Sequence, residues 1–244
     1  MMTWPGTGQA NASLVIHSGQ ELLTFARGDA YALLRGYIAG QGETDWQSQQ
    51  CLLEQLLTRF ISQQDLQLAA MKGSFTLLLA TANPTRLMIF QNVVGNTFTY
   101  YRSSPDGLQF SNQLAELGKA NPVLNQQALP AYFIYRFSPG RETLFQGVHR
   151  LLPGEQLLYE DDELRVETRQ TYADLASANQ ITRIPDAIES VESAMSEISR
   201  DQVNRYPGAS GLLSGGVDSS YIQAHWNLAW QVSGKTNQIG RAHV

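Results

Sequence analysis

The residues best placed to do chemistry lie late in the chain, in Ser214-Gly215-Gly216-Val217-Asp218-Ser219-Ser220. An apolar pair, Leu212 and Leu213, precedes them, and a helix-like segment running to Trp230 follows. That order reads as strand, tight turn and helix start. An anion at a helix N-terminus gains hydrogen bonds from unpaired backbone N–H groups and stabilisation from the positive end of the helix dipole. Two adjacent glycines let the backbone approach it with no Cβ in the way. Ser214, Ser219 and Ser220 add hydroxyl donors, and Asp218 supplies an oxygen ligand suited to Mg²⁺. The indicated chemistry is phosphate binding with a divalent metal. The structural alternative is an ordinary Gly-Gly turn capped by Asp218 or Ser219. A second phosphate motif fails: Gly234-Lys235-Thr236 looks like the end of a Walker A loop, but the glycine required five positions before Gly234 is Ala229.

The elements that must position this loop are legible on both sides. Pro185-Asp186 opens a predicted helix in which Ile188, Val191, Met195 and Ile198 recur at spacings of three and four, with Glu189, Glu192 and Glu197 facing elsewhere. A domain boundary is expected near residue 175, within Ala173 to Asn179, where small and polar residues replace a strand pattern. Roughly 70 residues after that boundary cannot close a doubly wound sheet, because each strand–helix unit needs about 30. The last six residues, from Ile239 to Val244, read like the translation of a sequencing adapter. They are expected to be a non-native tail on an N-terminal fragment.

The heptad from Ser214 to Ser220 resembles the pyrophosphate loop of the N-type ATP pyrophosphatases, and its setting resembles the synthetase domain of the asparagine synthetase family. In that family ATP adenylates a carboxylate, pyrophosphate leaves, and ammonia or an amine attacks the acyl-adenylate. The resemblance implies that Leu213, Ser214, Gly215, Gly216, Asp218, Ser219 and Ser220 hold ATP, with Asp218 on Mg²⁺. The groups that bind the carboxylate and the amine are expected beyond Val244.

Composition bounds the rest. The chain has 244 residues, 43% hydrophobic and 16% charged, as in a globular protein with room for one large or two modest domains. A net charge of −5 gives no reason to expect nucleic acid or an anionic membrane as partner. The one cysteine, Cys51, excludes an internal disulfide and suits a reducing cytoplasm, and its place beside a predicted apolar face suggests a core thiol. No run of about 18 apolar residues reads as a membrane span, and no signal peptide is legible at the start.

Short apolar runs at Ser13–His17, Glu21–Phe25 and Tyr31–Leu34 are predicted strands, separated by Gly19, Gly28 and Asp29. From Asp45 to Phe60 the period becomes helical, with Asp45 as cap and Trp46, Leu52, Leu53, Leu56, Leu57 and Phe60 on one face. Strands return at Phe75–Leu79, Leu87–Phe90, Thr97–Tyr101 and Leu108–Phe110. Asn83-Pro84, Gly95-Asn96 and Pro105-Asp106-Gly107 divide them, which predicts consecutive antiparallel pairing in a sandwich. Asn125 to Phe137 is predicted helical, with Tyr132, Phe133, Tyr135 and Phe137 as a core aromatic cluster. Glu160-Asp161-Asp162-Glu163 reads as a solvated hairpin tip rather than a metal site. His17, His149, His225 and His243 form no recognisable triad or ligand pair.

This half resembles the class II glutamine amidotransferase domain that precedes the synthetase domain in the same family. The resemblance rests on Gly73-Ser74-Phe75, on Val94-Gly95 with Tyr100-Tyr101, on Phe110-Ser111, and on the loop carrying Thr143 to Gly147 and Leu152 to Glu155. It implies a glutaminase with an N-terminal cysteine nucleophile, but the start here is Met1-Met2-Thr3-Trp4. The family's Asn-Gly-Glu segment aligns with Arg35-Gly36-Tyr37, and the acidic residue expected before Gly73 is Lys72. Nucleophile, oxyanion donor and substrate carboxylate are absent together, so a non-hydrolytic scaffold is expected.

The expected fold is therefore an αββα-type sandwich of antiparallel sheets over residues 1–175, then the start of a pyrophosphate-loop α/β domain over 176–238, then the tail at 239–244. The expected function is that of an asparagine synthetase-like, cytoplasmic, ATP- and Mg²⁺-dependent ligase, with aspartate as the default carboxylate and ammonia or an amine as its partner. Two alternatives stay open: a cyclase closing an intramolecular amide, as in β-lactam synthetases and lasso-peptide cyclases, and an inactive scaffold. A homodimer is also left open.

Overall fold

The computed structural model describes residues 2–4, 22–39, 46–94, 98–104, 107–120, 122–175, 181–206, 210–234 and 238–241. The strand expected at Ser13–His17, the Asp45 cap, the turns at Gly95-Asn96 and Pro105-Asp106, His17, His243, the Lys235-Thr236 pair and the last three residues lie outside them. The described chain forms two compact units, Met1–Gln41 with Gln47–Ala176, and Gly42–Trp46 with Ser177–Val244.

In the first unit the elements run β1 (Met2–Trp4), β2 (Leu22–Arg27), β3 (Ala30–Ala39), α1 (Trp46–Ile61), β4 (Lys72–Thr81), β5 (Arg86–Gln91), β6 (Thr99–Ser104) and β7 (Gly107–Ser111). Then come α2 (Leu114–Ala120), α3 (Leu129–Tyr135), β8 (His149–Leu151), β9 (Glu155–Glu160), β10 (Glu163–Thr168) and α4 (Tyr172–Leu175). A six-stranded sheet has the order β10-β9-β5-β4-β3-β2, and a four-stranded sheet the order β1-β7-β6-β8. Every pairing within these two sheets is antiparallel.

Strand alternation explains the layering. One face of the six-stranded sheet, with Leu34, Leu77, Leu79, Met88 and Phe90, packs on Leu53, Leu56, Leu57 and Phe60 of α1. The other face, with Leu33, Leu78, Leu87, Ile89 and Leu157, meets Tyr101, Leu108, Phe110 and Leu151 of the smaller sheet. The helix α2 packs on β6 and β7. These layers make an αββα sandwich.

Four expectations need correction. Pairing is not consecutive from β4 to β7: β5 is buried on both faces and pairs with β4 and β9, so the chain changes sheet before β6. Cys51 is exposed, because the α1 face that meets the sheet runs through Gln49, Leu53, Leu56, Leu57 and Phe60, and Cys51 falls off it; Trp46 is exposed too. The helix in 125–137 is confined to Leu129–Tyr135, with Pro130 in its first turn and residues 126–128 in a turn before it. Its aromatic side chains are exposed rather than core. The acidic hairpin tip does form as read, with Asp161 and Asp162 at positive φ between β9 and β10.

The second unit contains α5 (Ile184–Arg205), β11 (Ser210–Leu213), α6 (Val217–Ser233) and β12 (Gln238–Arg241). β11 and β12 pair in parallel, so β11, α6 and β12 form one βαβ crossover. Among the described residues Val203, Ala229 and Trp230 form its buried apolar cluster, with Trp226 packed against them. The apolar stripe expected to bury on α5 is largely exposed at Ile188, Val191 and Ile198; the buried positions are Ser199, Val203 and Arg205. The α5 surface facing α6 therefore lies nearer its C-terminal end than the apolar periodicity indicates.

Candidate functional site

The strand–turn–helix expected around Ser214 forms as β11, a turn at residues 214–216, and α6. Gly215 takes φ +82° with open space where a Cβ would stand, a conformation that favours glycine and leaves room for a close ligand. Gly211, within β11, lies close to α6: a Cβ there would fall 1.9 Å from Gln223 Oε1, the end of a flexible side chain. The strand can thus approach the helix closely.

The N-cap of α6 is Gly216, and no side chain caps the helix. The capped-turn alternative, with Asp218 or Ser219 as cap, is therefore not realised. Ser219 Oγ and Ser220 Oγ instead donate to Gly216 O at 3.0 and 2.8 Å, and Ser220 N donates to the same oxygen at 3.2 Å. Ser214 Oγ lies 3.0 Å from Ser219 Oγ and accepts from Gly216 N at 3.4 Å. This web fixes the turn and leaves the first-turn N–H groups without a side-chain acceptor, the donors an anion takes. Ser214, Gly215, Gly216, Asp218 and Ser220 are exposed, and Leu213 and Ser219 half-buried. No Lys or Arg lies between Ser210 and Gly234. Among the described residues no group of three or more His, Cys, Asp or Glu could hold a metal by protein ligands alone.

The second constellation sits in the sandwich. Register brings Arg35-Gly36-Tyr37 opposite Thr76, Phe75 and Ser74, with Ile38 opposite Gly73 and Ala39 opposite Lys72. The positions where the sequence departs from the amidotransferase pattern thus share one end of the β3–β4 ladder. Gly36 and Gly73 have φ of +89° and +131°; their added Cβ atoms would lie 2.0 Å from Ser74 O and 2.3 Å from Tyr37 O. Backbone occupies the space a side chain would need. Arg35 is half-buried, and burial draws its guanidinium below the usual arginine range. Lys72 is exposed.

Two buried carboxamides hold this end in place, and sequence reasoning missed both. Gln49 Oε1 accepts from Ile38 N at 3.0 Å, and Gln49 Nε2 donates to Ile38 O at 2.9 Å. Among the described residues β2 pairs no further than Leu22 opposite Arg35, and the Gln49 side chain serves Ile38 beyond that point. Gln170 Nε2 donates to Ala69 O and Met71 O, while its Oε1 accepts from Val93 N and Asn92 Nδ2. Gln49 was detectable as a polar residue four before Leu53 on an apolar helix face; Gln170 leaves no periodic signal. Near the loop at 141–155, Arg141 donates to Tyr101 OH at 3.0 Å and to Glu155 Oε1 at 2.5 Å. Desolvation raises the Tyr101 phenol above its ordinary range, against the stabilising Arg141.

The first unit is thus an αββα sandwich with two close-packed glycines at one end of the β3–β4 ladder. Residues 29–173 match the glutamine amidotransferase domain family, more than half of the chain, and the chain belongs to that family. It is similar to glutamine phosphoribosylpyrophosphate amidotransferase from B. subtilis complexed with ADP and GMP, at 14% identity and TM-score 0.32, over 89% of this chain and 48% of that one. It is also similar to a structure described as the allosteric regulatory enzyme of purine biosynthesis, at 14% identity and TM-score 0.33, over 89% of this chain and 46% of that one. The chain spans less than half the length of these two solved structures. No curated protein sequence matches it. Among the described residues no helix is long and apolar enough to cross a membrane.

Proposed function

We propose that the protein is an asparagine synthetase-like ligase that uses ATP to adenylate a carboxylate, releases pyrophosphate, and forms an amide with ammonia or an amine. The carrying observation is the uncapped N-terminus of α6 behind an open Gly215-Gly216 turn ringed by Ser214, Ser219 and Ser220. Backbone N–H groups of the first turn bind phosphate oxygens of ATP, and the Ser214, Ser219 and Ser220 hydroxyls hold the turn that presents them. Asp218, exposed in the same turn, would hold Mg²⁺, which would supply positive charge beside the phosphates. Fixed donors aimed at developing charge lower the barrier to its departure. Aspartate is the default carboxylate.

The amidotransferase-family unit serves this reaction without supplying nitrogen from glutamine. A cationic Arg35 and Lys72 stand where the family resemblance requires an oxyanion donor and a carboxylate. The same observation favours a second reading, an intramolecular amide-forming cyclase, because such an enzyme needs no ammonia source. The test is pyrophosphate release by the full-length gene product with ATP, Mg²⁺ and aspartate. Aspartate-dependent release supports asparagine synthesis; ATP turnover that ignores aspartate moves the assignment to a cyclase; no binding of ATP–Mg²⁺ rejects both.

A further inference from the structure

A cavity of about 310 Å³ opens in the sandwich unit, lined by residues of the β2–β3 turn, the β4–β5 turn and the C-terminal end of α1. It lies where Ala30 pairs with Thr81, at the end of the β3–β4 ladder opposite Gly36 and Gly73. It shares no residue with that glycine end or with the turn before α6. Its volume falls at the small end of the range for ligand pockets, about 300–1,000 Å³. Ala30, Phe60 and Thr81 line it as buried residues, and Arg27, Asp29, Ser62, Gln63 and Asn83 as exposed ones. A largely apolar base under a few polar groups is the composition by which a pocket orients a small molecule.

The charged groups of the cavity fall into two kinds. Arg86 is committed: its Nε lies 3.3 Å from Glu160 Oε1, its Nη1 donates to Phe60 O at 3.4 Å, and its guanidinium stands 4.5 Å over the Phe60 ring. Thr81 is committed as well, donating from Oγ1 to Pro84 O at 2.7 Å. Among the described residues the side chains of Arg27 and Asp29 make no hydrogen bond or ion pair, either with each other or with a neighbour. These two flank Gly28 in the β2–β3 turn, so one open cation and one open anion serve the same cavity. A phosphate or dicarboxylate meets a repelling carboxylate there, and a polyamine meets a repelling guanidinium. A zwitterion satisfies both. The planar guanidinium matches a carboxylate with two parallel hydrogen bonds, and Asp29 accepts from an ammonium. The C-terminal end of α1 carries the negative end of its dipole, which adds attraction for the same ammonium. Ser62, Gln63 and Asn83 bring groups that both donate and accept, suited to a short polar side chain. We propose that this cavity binds a free α-amino acid with a short polar side chain, its carboxylate on Arg27 and its ammonium on Asp29. The inference is independent of the ligase reading.

Titration calorimetry of the full-length gene product with L-serine as probe, without ATP, reads the site directly. The expected result is binding with a dissociation constant of about 1 mM, as suits an open pocket with two charged contacts. Arg27→Gln and Asp29→Asn, both at exposed positions, are each expected to raise it about tenfold or more with far-UV circular dichroism unchanged. 3-Hydroxypropionate, which lacks the ammonium, and ethanolamine, which lacks the carboxylate, are expected to bind about tenfold more weakly than L-serine. No L-serine binding up to about 10 mM overturns the inference, including the case in which another stretch of the polypeptide covers the cavity. L-Serine binding that ignores both variants also overturns it, because the ligand then sits elsewhere. So does inorganic phosphate or 3-hydroxypropionate bound through Arg27 as tightly as L-serine, which would make the cavity an anion site.

Discussion

Two glycine-bearing places in this protein, the β3–β4 ladder and the turn before α6, use the residue in opposite ways. Gly36 and Gly73 of the sandwich are glycines because backbone already fills the space beside them: their Cβ atoms would meet Ser74 O and Tyr37 O. Gly215 in the turn before α6 is a glycine with nothing around it at all. A filled glycine fixes a scaffold, and an open one leaves room for a ligand. The sandwich backbone is kept by Gln49 and Gln170 even though Arg35 and Lys72 occupy the positions of expected chemistry. The turn after β11 has few supports beyond its own hydroxyls, yet it presents free donors.

The contrast can be broken first at Gly36. Gly36→Ala places a methyl group 2.0 Å from a backbone oxygen at positive φ, and is expected to destabilise the sandwich by about 3–5 kcal/mol. Denaturant unfolding checks this, and an effect under about 1 kcal/mol would show that the ladder is looser than described. Gly215→Ala, with no neighbour within 4 Å, is expected to cost only about 1 kcal/mol, the strain of its φ.

A functional change without a structural one sharpens it from the other side. Asp218→Asn alters an exposed side chain with no capping role, so unfolding stability is expected to stay within about 0.5 kcal/mol. ATP–Mg²⁺ affinity, read by titration calorimetry, is expected to fall about tenfold or more, equivalent to about 1.4 kcal/mol. Unchanged affinity would remove Asp218 from the site.

A further expected effect is a pH dependence within the sandwich. Burial, then the hydrogen bond from Tyr159 OH to Asp162 Oδ1, push the Tyr159 phenol up to about 12. The unfolded chain ionises this group near 10 while the folded one keeps its proton, so the unfolded state binds fewer protons in between. Its contribution is complete below about pH 10 and is lost as pH rises towards 12. Unfolding measured across that window is expected to show a shallower decline in Tyr159→Phe; an identical decline would remove Tyr159 as its source.

Much of this architecture was legible because it is written locally. The short continuous apolar runs of β4 and β5 and the Gly-Gly-Val-Asp-Ser-Ser turn each carry their own signal. Which edge of β5 is taken by β9 is decided by pairing partners some 70 residues apart, and no local pattern encodes it. The aromatic run of α3 reads as core because apolar residues usually are; what covers it is a tertiary or quaternary matter. On α5 the periodicity correctly gave a helix but not the end of it that packs, since burial there depends on where α6 meets it. Gln170 was invisible because a single polar residue carries no period, although four hydrogen bonds converge on its side chain.

The proposed contrast, a sandwich that takes no nitrogen from glutamine and a turn that binds ATP, is tested most directly by the nitrogen source. Amide formation by the full-length gene product with ATP, Mg²⁺ and aspartate should be followed with ammonia and with glutamine in parallel, while free glutamate is measured in the glutamine arm. The account predicts product with ammonia, none with glutamine, and no glutamate released. Glutamate release from glutamine, coupled to amide formation, would contradict it and return the Arg35 and Lys72 end of the sandwich to the catalytic machinery.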